Sequence, residues 1–141
     1  MGDILYRIEQ KLIHKDLDAV KEFLKSAFED FHGKDLKRFF EIILRLKSDY
    51  IYQIICNDEE LTIYCLEITS SNYYARKIIF TLAQNGVSSE KIAEYIKQIK
   101  TSLKKRGASF PTRMFNQQMR KESKEYNITT DLINEILQNA R

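Results

Sequence analysis

Only five of the 141 residues are Gly or Pro: four glycines and a single proline, Pro111. A strand-rich fold needs a sharp turn roughly every 8–12 residues, and Gly and Pro make most of those turns. A chain so poor in them favours a few long elements, and that points to helices. One compact domain, 1–141, is expected at this length, large enough to bury a core without disulfide or metal support. No apolar run approaches the ~18–20 residues that cross a bilayer. The start, MGDILYRIEQ, has an acid at position 3 and no continuous apolar region, so it reads as neither a secretory signal nor a myristoylation site.

The apolar spacing agrees with helices. Ile4, Leu5, Ile8, Leu12 and Ile13 recur at helical intervals, and Leu17, Val20, Leu24, Ala27, Phe28 and Phe31 continue the pattern. Asp16 can cap a second helix after a break at His14–Lys15, or one helix runs through. Gly33 suits the left-handed residue that closes a helix after His32. A third helix carries Leu36, Phe39, Phe40, Ile43 and Leu44 and reads on toward Ile51 and Ile55. The stretch 50–68 is ambiguous. YIYQIIC and LTIYCLEIT are rich in β-branched and aromatic residues around an acidic Asn57–Glu60, which fits a hairpin. Leu61, Tyr64, Cys65 and Ile68 also fit one helical face, and helix is favoured because the flanks are helical. Ser70 or Ser71 then caps a helix with a stripe of Tyr74, Ala75, Ile78, Ile79, Leu82 and Ala83, stopping at Asn85–Gly86. Ser88 caps the next, with Val87 and Ile92 as a hydrophobic staple. After the break at Gly107–Pro111, a mostly polar helix runs from about Thr112 to Tyr126. A last helix starts at Thr129 or Thr130. The expected fold is all-α: a bundle of five to seven helices, with a small hairpin at 50–68 as the alternative.

Charge is divided along the chain. Residues 1–70 hold 10 Lys/Arg against 14 Asp/Glu; residues 71–141 hold 13 against 6. The excess is densest in 97–124, where Lys97, Lys100, Lys104, Lys105, Arg106, Arg113, Arg120, Lys121 and Lys124 face a single acid, Glu122. Such a split implies a polyanionic partner for the basic half, with nucleic acid the commonest. On the helix after Ser88, with Ile92 at zero, Ile96, Ile99 and Leu103 fall at about 40°, 340° and 20°. That is a narrow seam for the core. Lys100, Lys104 and Lys97 fall at about 80°, 120° and 140°, a stripe able to track phosphates. Tyr73, Tyr95 and Phe110 are candidate stacking aromatics beside it. A lysine-rich last turn is also ordinary for a solvated helix, where it complements the helix dipole.

Catalytic chemistry is poorly represented. There is no Gly-rich phosphate loop, paired-carboxylate motif or nucleophile elbow. Cys56 and Cys65 are too far apart in either local geometry for a strain-free bridge, and they make no metal set with His14 or His32. Buried thiols in a reducing, cytoplasmic setting are expected. Asp58, Glu59 and Glu60 lack the spacing of a calcium loop and read as a helix start. No metal and no cofactor is expected.

Three resemblances are short. LAQNGVSSEKIAEYI at 82–96 resembles DNA-binding helix–turn–helix modules, which implies a recognition helix after Gly86. The chain departs from that pattern: Ala83 precedes Gly86 by three residues rather than four, and the following helix is long. The same segment is similar to the helical repeats of RecX-type recombination regulators. Arg7 and His14 have a spacing similar to the R-x4–6-H motif of HEPN ribonucleases, which implies phosphate chemistry, but Ile8 replaces the polar residue after the arginine.

The leading expectation is a non-enzymatic accessory protein that binds nucleic acid or a nucleoprotein through 97–124. The alternative is a protein-interaction module: an inhibitor, immunity protein or chaperone. A HEPN-like ribonuclease is the remote third. Leu132, Ile133, Ile136 and Leu137 form an apolar patch on the last helix that either completes the core or pairs with a second copy.

Overall fold

In a computed structural model, which describes residues 2–141, the chain is all-α, with nine α-helices and one 3-10 turn among the described residues. The hairpin is replaced by two helices, and the expected five to seven helices become nine. The extra breaks fall where no Gly or Pro stands. Lys15, Lys47, Ser70 and Asn127 all take positive φ, between 53° and 56°. Left-handed backbone costs an ordinary residue roughly 1–2 kcal/mol, so composition alone does not reveal such stops. The chain divides into two compact units, Met1–Leu61 and Thr62–Arg141.

The first unit holds α1 (Gly2–Ile13), α2 (Leu17–Asp30), α3 (Gly33–Arg45), α4 (Asp49–Cys56) and the first turn of α5 (Glu59–Thr69). α1 packs on α2, and α2, α3 and α4 pack on one another. Asp16 ends the ambiguity at His14–Lys15 by capping α2, its Oδ1 accepting from the Ala19 amide at 3.2 Å. Gly33 does have a left-handed φ of 56°, but it opens α3 rather than closing α2, which ends at Asp30. Ser48 caps α4, and Asp58 caps α5 by accepting from the Leu61 amide at 3.2 Å. The core is aromatic, with Phe39 edge-on to Phe31 and Phe40, and Phe40 to Phe28. Fully buried Tyr52 satisfies its hydroxyl on the Leu44 carbonyl at the end of α3, at 2.8 Å. Both cysteines are thiols, and burial pushes Cys56 from 9.0 up to about 12.

The second unit holds the rest of α5, then α6 (Tyr73–Gln84), α7 (Ser89–Lys105), α8 (Thr112–Glu122), the 3-10 turn Ser123–Tyr126 and α9 (Thr130–Asn139). The α6 cap is Asn72, not Ser70 or Ser71; its Oδ1 accepts from the Tyr74 and Ala75 amides at 2.9 and 3.2 Å. α6 closes with Gly86 at φ 80°. There the Gly86 amide donates to Ala83 and the Val87 amide to Leu82, the paired bonds of a Schellman stop. Ser88 and Thr129 cap α7 and α9 as expected. Ile92, Ile96 and Ile99 are buried, while Leu103 is half-buried. Tyr74 is half-buried as well, off the centre of the α6 stripe. The polar helix expected to reach Tyr126 ends at Glu122 and tightens into the 3-10 turn. Tyr126 anchors that turn, stacking on Phe80 at 4.5 Å with its hydroxyl 3.5 Å from that of Tyr73.

α9 packs against both α7 and α8. Ile133, Ile136 and Leu137 are buried there and Leu132 is half-buried. The patch on the last helix is thus used within its own unit, the first of the two outcomes expected for it.

Candidate nucleic-acid interface

Eight of the nine basic side chains in 97–124 are exposed: Lys97, Lys104, Lys105, Arg106, Arg113, Arg120, Lys121 and Lys124. The exception is Lys100, which is half-buried. Its Nζ donates to the Ala140 carbonyl at 2.9 Å and lies 5.4 Å from the Phe110 ring centroid. Burial, helped by the neighbouring Lys97 charge, holds its pKa below the usual 10.5. The expected stripe of three lysines therefore loses its middle member, which ties α7 to the end of α9. Angles on one helix place Lys100 beside the seam but cannot show what packs over that flank.

α8 provides the more coherent surface. Phe115 and Met119 point inward. With Phe115 at zero, Met119 falls at about 40°, Arg120 and Arg113 at about 140° and 160°, and Lys121 at about 240°. The cations thus occupy the outer half of the helix. Exposed Met114 stands among them, 63% accessible.

The single acid of the segment is withdrawn. Arg76 on α6 donates from Nε and Nη2 to the two Glu122 carboxylate oxygens at 2.8 and 2.9 Å, and from Nη1 to the Ser71 carbonyl at 3.0 Å. Both side chains of the pair are about one-eighth accessible, at 12% and 13%. A bidentate, largely dehydrated pair satisfies the carboxylate internally, so Glu122 offsets little of the outward field of α8.

Between α8 and α9 lies a cleft of about 400 Å³ lined by Asn116, Arg120, Asn134, Leu137, Gln138 and Arg141. Arg120 is set in it by donating from Nε to Asn134 Oδ1 at 3.0 Å. The sequence marks Arg120 only as one more surface cation and Leu137 only as part of an apolar patch, and gives the other lining residues no prominence. Their trace is the spacing: 116 and 120 share one face of α8, 134 and 138 share one face of α9, and Arg141 follows just beyond the end of α9.

The candidate stacking aromatics are used in packing. Tyr95 is buried with Lys91 over its ring, which corrects its place among the stacking candidates. Phe110 packs on Phe115 at 4.9 Å, and Tyr73 on Tyr74 at 5.6 Å. As for the helix–turn–helix resemblance, α7 is 17 residues long, and the exposed residues of its first turns include the acids Glu90 and Glu94. A recognition helix presents its N-terminal residues to the duplex; here the exposed cations Lys97, Lys104 and Lys105 stand from the middle of the helix onward. Arg7 is exposed on α1, and His14 is exposed in the turn beyond it, off the regular helix that would align them. Glu59 and Glu60 occupy the first turn of α5. No three His, Cys, Asp or Glu side chains converge as a metal site among the described residues. No described helix is long and apolar enough to cross a membrane.

Comparison with protein-family models, curated proteins and solved structures finds no match.

Proposed function

We propose that this chain is a non-enzymatic, cytoplasmic accessory protein that binds nucleic acid, bare or within a nucleoprotein, through the exposed cationic face of 97–124. The observation that carries the reading is the pairing of eight exposed cations with an acid held inward by Arg76. Cations on a water-facing surface gain by releasing counterions condensed on a polyphosphate. With the nearby aromatics engaged in packing, binding is electrostatic and tolerant of sequence.

The test is fluorescence anisotropy at about 50 mM salt with single- and double-stranded DNA and RNA, where phosphate contacts are strongest. Lys97→Glu with Lys104→Glu is expected to weaken binding far more than Lys11→Glu with Lys15→Glu. The slope of log affinity against log salt should become shallower by about one unit for each phosphate no longer neutralised. Absence of binding to all four ligands would overturn the reading.

A second reading, a protein-interaction module acting as inhibitor, immunity protein or chaperone, has its own support in the first unit. Leu12, Ile13, Leu46 and Tyr50 line an open groove with Glu9 and Ser48, and Ile13 is 69% accessible. A partner held by such anchors would show weak salt dependence and large losses on Ile13→Ala or Tyr50→Ala.

A further inference from the structure

We propose that the cleft between α8 and α9 is a seat for a phosphate group, held by the guanidinium of Arg120 and completed by Arg141, Asn116 and Gln138. The proposal rests on the nucleic-acid reading and deepens it, by separating one positioned contact from the diffuse cationic face.

Four features of the cleft converge on an oxyanion. First, five of its six lining side chains are polar and two of them are guanidinium groups. Second, Arg120 is pre-positioned. Its Nε is engaged by Asn134 Oδ1 at 3.0 Å, while its terminal nitrogens make no hydrogen bond or ion pair among the described residues. A planar fork held at one edge presents the other edge for two parallel bonds to an oxyanion, the geometry in which arginine differs most from lysine. Third, the side chains of Asn116, Gln138 and Arg141 line the same space and make no hydrogen bond among the described residues. Their N–H groups supply further donors to a tetrahedral anion. Fourth, the C-terminal end of α9 would ordinarily repel an anion, because its last carbonyls carry partial negative charge. Lys100 offsets this by donating to the Ala140 carbonyl. A lysine withdrawn from the outer stripe thereby places its charge at the C-terminal end of α9.

A phosphodiester of a polynucleotide and a free phosphate group share this chemistry, and the test separates them. In the first arm, the Arg120 Nε–H resonance is followed by NMR while inorganic phosphate is added to the wild-type protein. A saturable shift in the millimolar range is expected; it should persist in Lys121→Gln with Lys124→Gln and vanish in Arg141→Gln with Asn116→Ala. In the second arm, oligonucleotide binding is compared for wild type, Arg120→Lys and Lys121→Arg. Arg120→Lys keeps the charge but removes the fork, so about tenfold weaker binding is expected, the lower range for removing a charge-assisted hydrogen bond. Lys121→Arg should change little. A saturable phosphate shift without oligonucleotide binding would uphold the seat for a free phosphate group while the nucleic-acid reading falls. Oligonucleotide binding that is indifferent to Arg120→Lys, with a phosphate shift that is absent or never saturates, would overturn the seat and leave the broader reading standing. The wild-type NMR arm needs no substitution, so the outcome does not depend on how a variant folds.

Discussion

The two units of the chain differ in their deepest ion pairs, although Lys91 and Glu94 of the second also make an exposed pair at 3.9 Å. In the first, Lys25 meets Asp58 at 3.8 Å and Arg45 meets Glu41 at 4.0 Å, with the cations half or more accessible. In the second, Arg76 grips Glu122 with two short bonds across 46 residues of sequence, and both side chains are nearly enclosed. The first kind decorates a surface and is screened by water. The second kind locates one helix against another and hides an acid that would otherwise dilute a cationic face. Counting charges along the chain treats these pairs alike; depth separates them.

The largest effects should be common to both units and set the scale. Phe39→Ala in the first unit should cost about 3–5 kcal/mol and Ile99→Ala in the second about 2–5 kcal/mol, because each empties a fully packed site. Urea unfolding measures both; a near-neutral Ile99→Ala would mean that the buried seam of α7 is misplaced. The next effect tests the contrast itself. Arg76→Ala should cost about 3 kcal/mol by leaving Glu122 enclosed without its partner, against less than about 1 kcal/mol for Lys25→Ala. Equal losses would erase the difference between the enclosed pair and the exposed one. Replacing both Arg76 and Glu122 by Met should restore most of the stability, since two apolar groups leave nothing unpaired.

A smaller effect depends on pH and belongs to the first unit. The Cys56 thiol titrates at 9.0 ordinarily and at about 12 here, raised by burial. Above pH 9 the unfolded chain loses this proton while the folded chain keeps it, so the folded state binds more protons. Stability from this group is full below pH 9 and falls between pH 9 and about 12, by at most about 1.4 kcal/mol per pH unit. Chemical denaturation at pH 8 and pH 10 should show a shallower fall for Cys56→Ala than for wild type. The smallest effect is a gain. Lys47 holds φ 53° between α3 and α4, and Lys47→Gly should stabilise by up to about 1 kcal/mol by removing left-handed strain. A loss of stability would show that the lysine side chain contributes more at that turn than its backbone costs.

What the amino-acid sequence determined by itself is local. Helical type follows from apolar spacing within one or two turns where the stripe is clear; at 50–68, where the spacing fits both forms, only the helical flanks favoured the helices that are found. The caps at Asp16, Ser88 and Thr129 and the stop at Gly86 were legible because each is closed by bonds spanning at most five residues. The cationic character of 97–124 was legible too, since charge needs no fold to be counted. Tertiary structure decided what depends on distant neighbours. The stops at Lys47 and Ser70 carry no residue signature, because neither residue is one that the left-handed backbone favours. Lys100 left the exposed stripe for a carbonyl 40 residues away, and Glu122 was withdrawn by an arginine on another helix. The α8–α9 cleft exists only because buried Phe115, Met119, Ile133 and Ile136 fix the rotation of the two helices and so turn their polar ridges together. Residues that are merely polar along the chain become donors around one space when the core sets their direction.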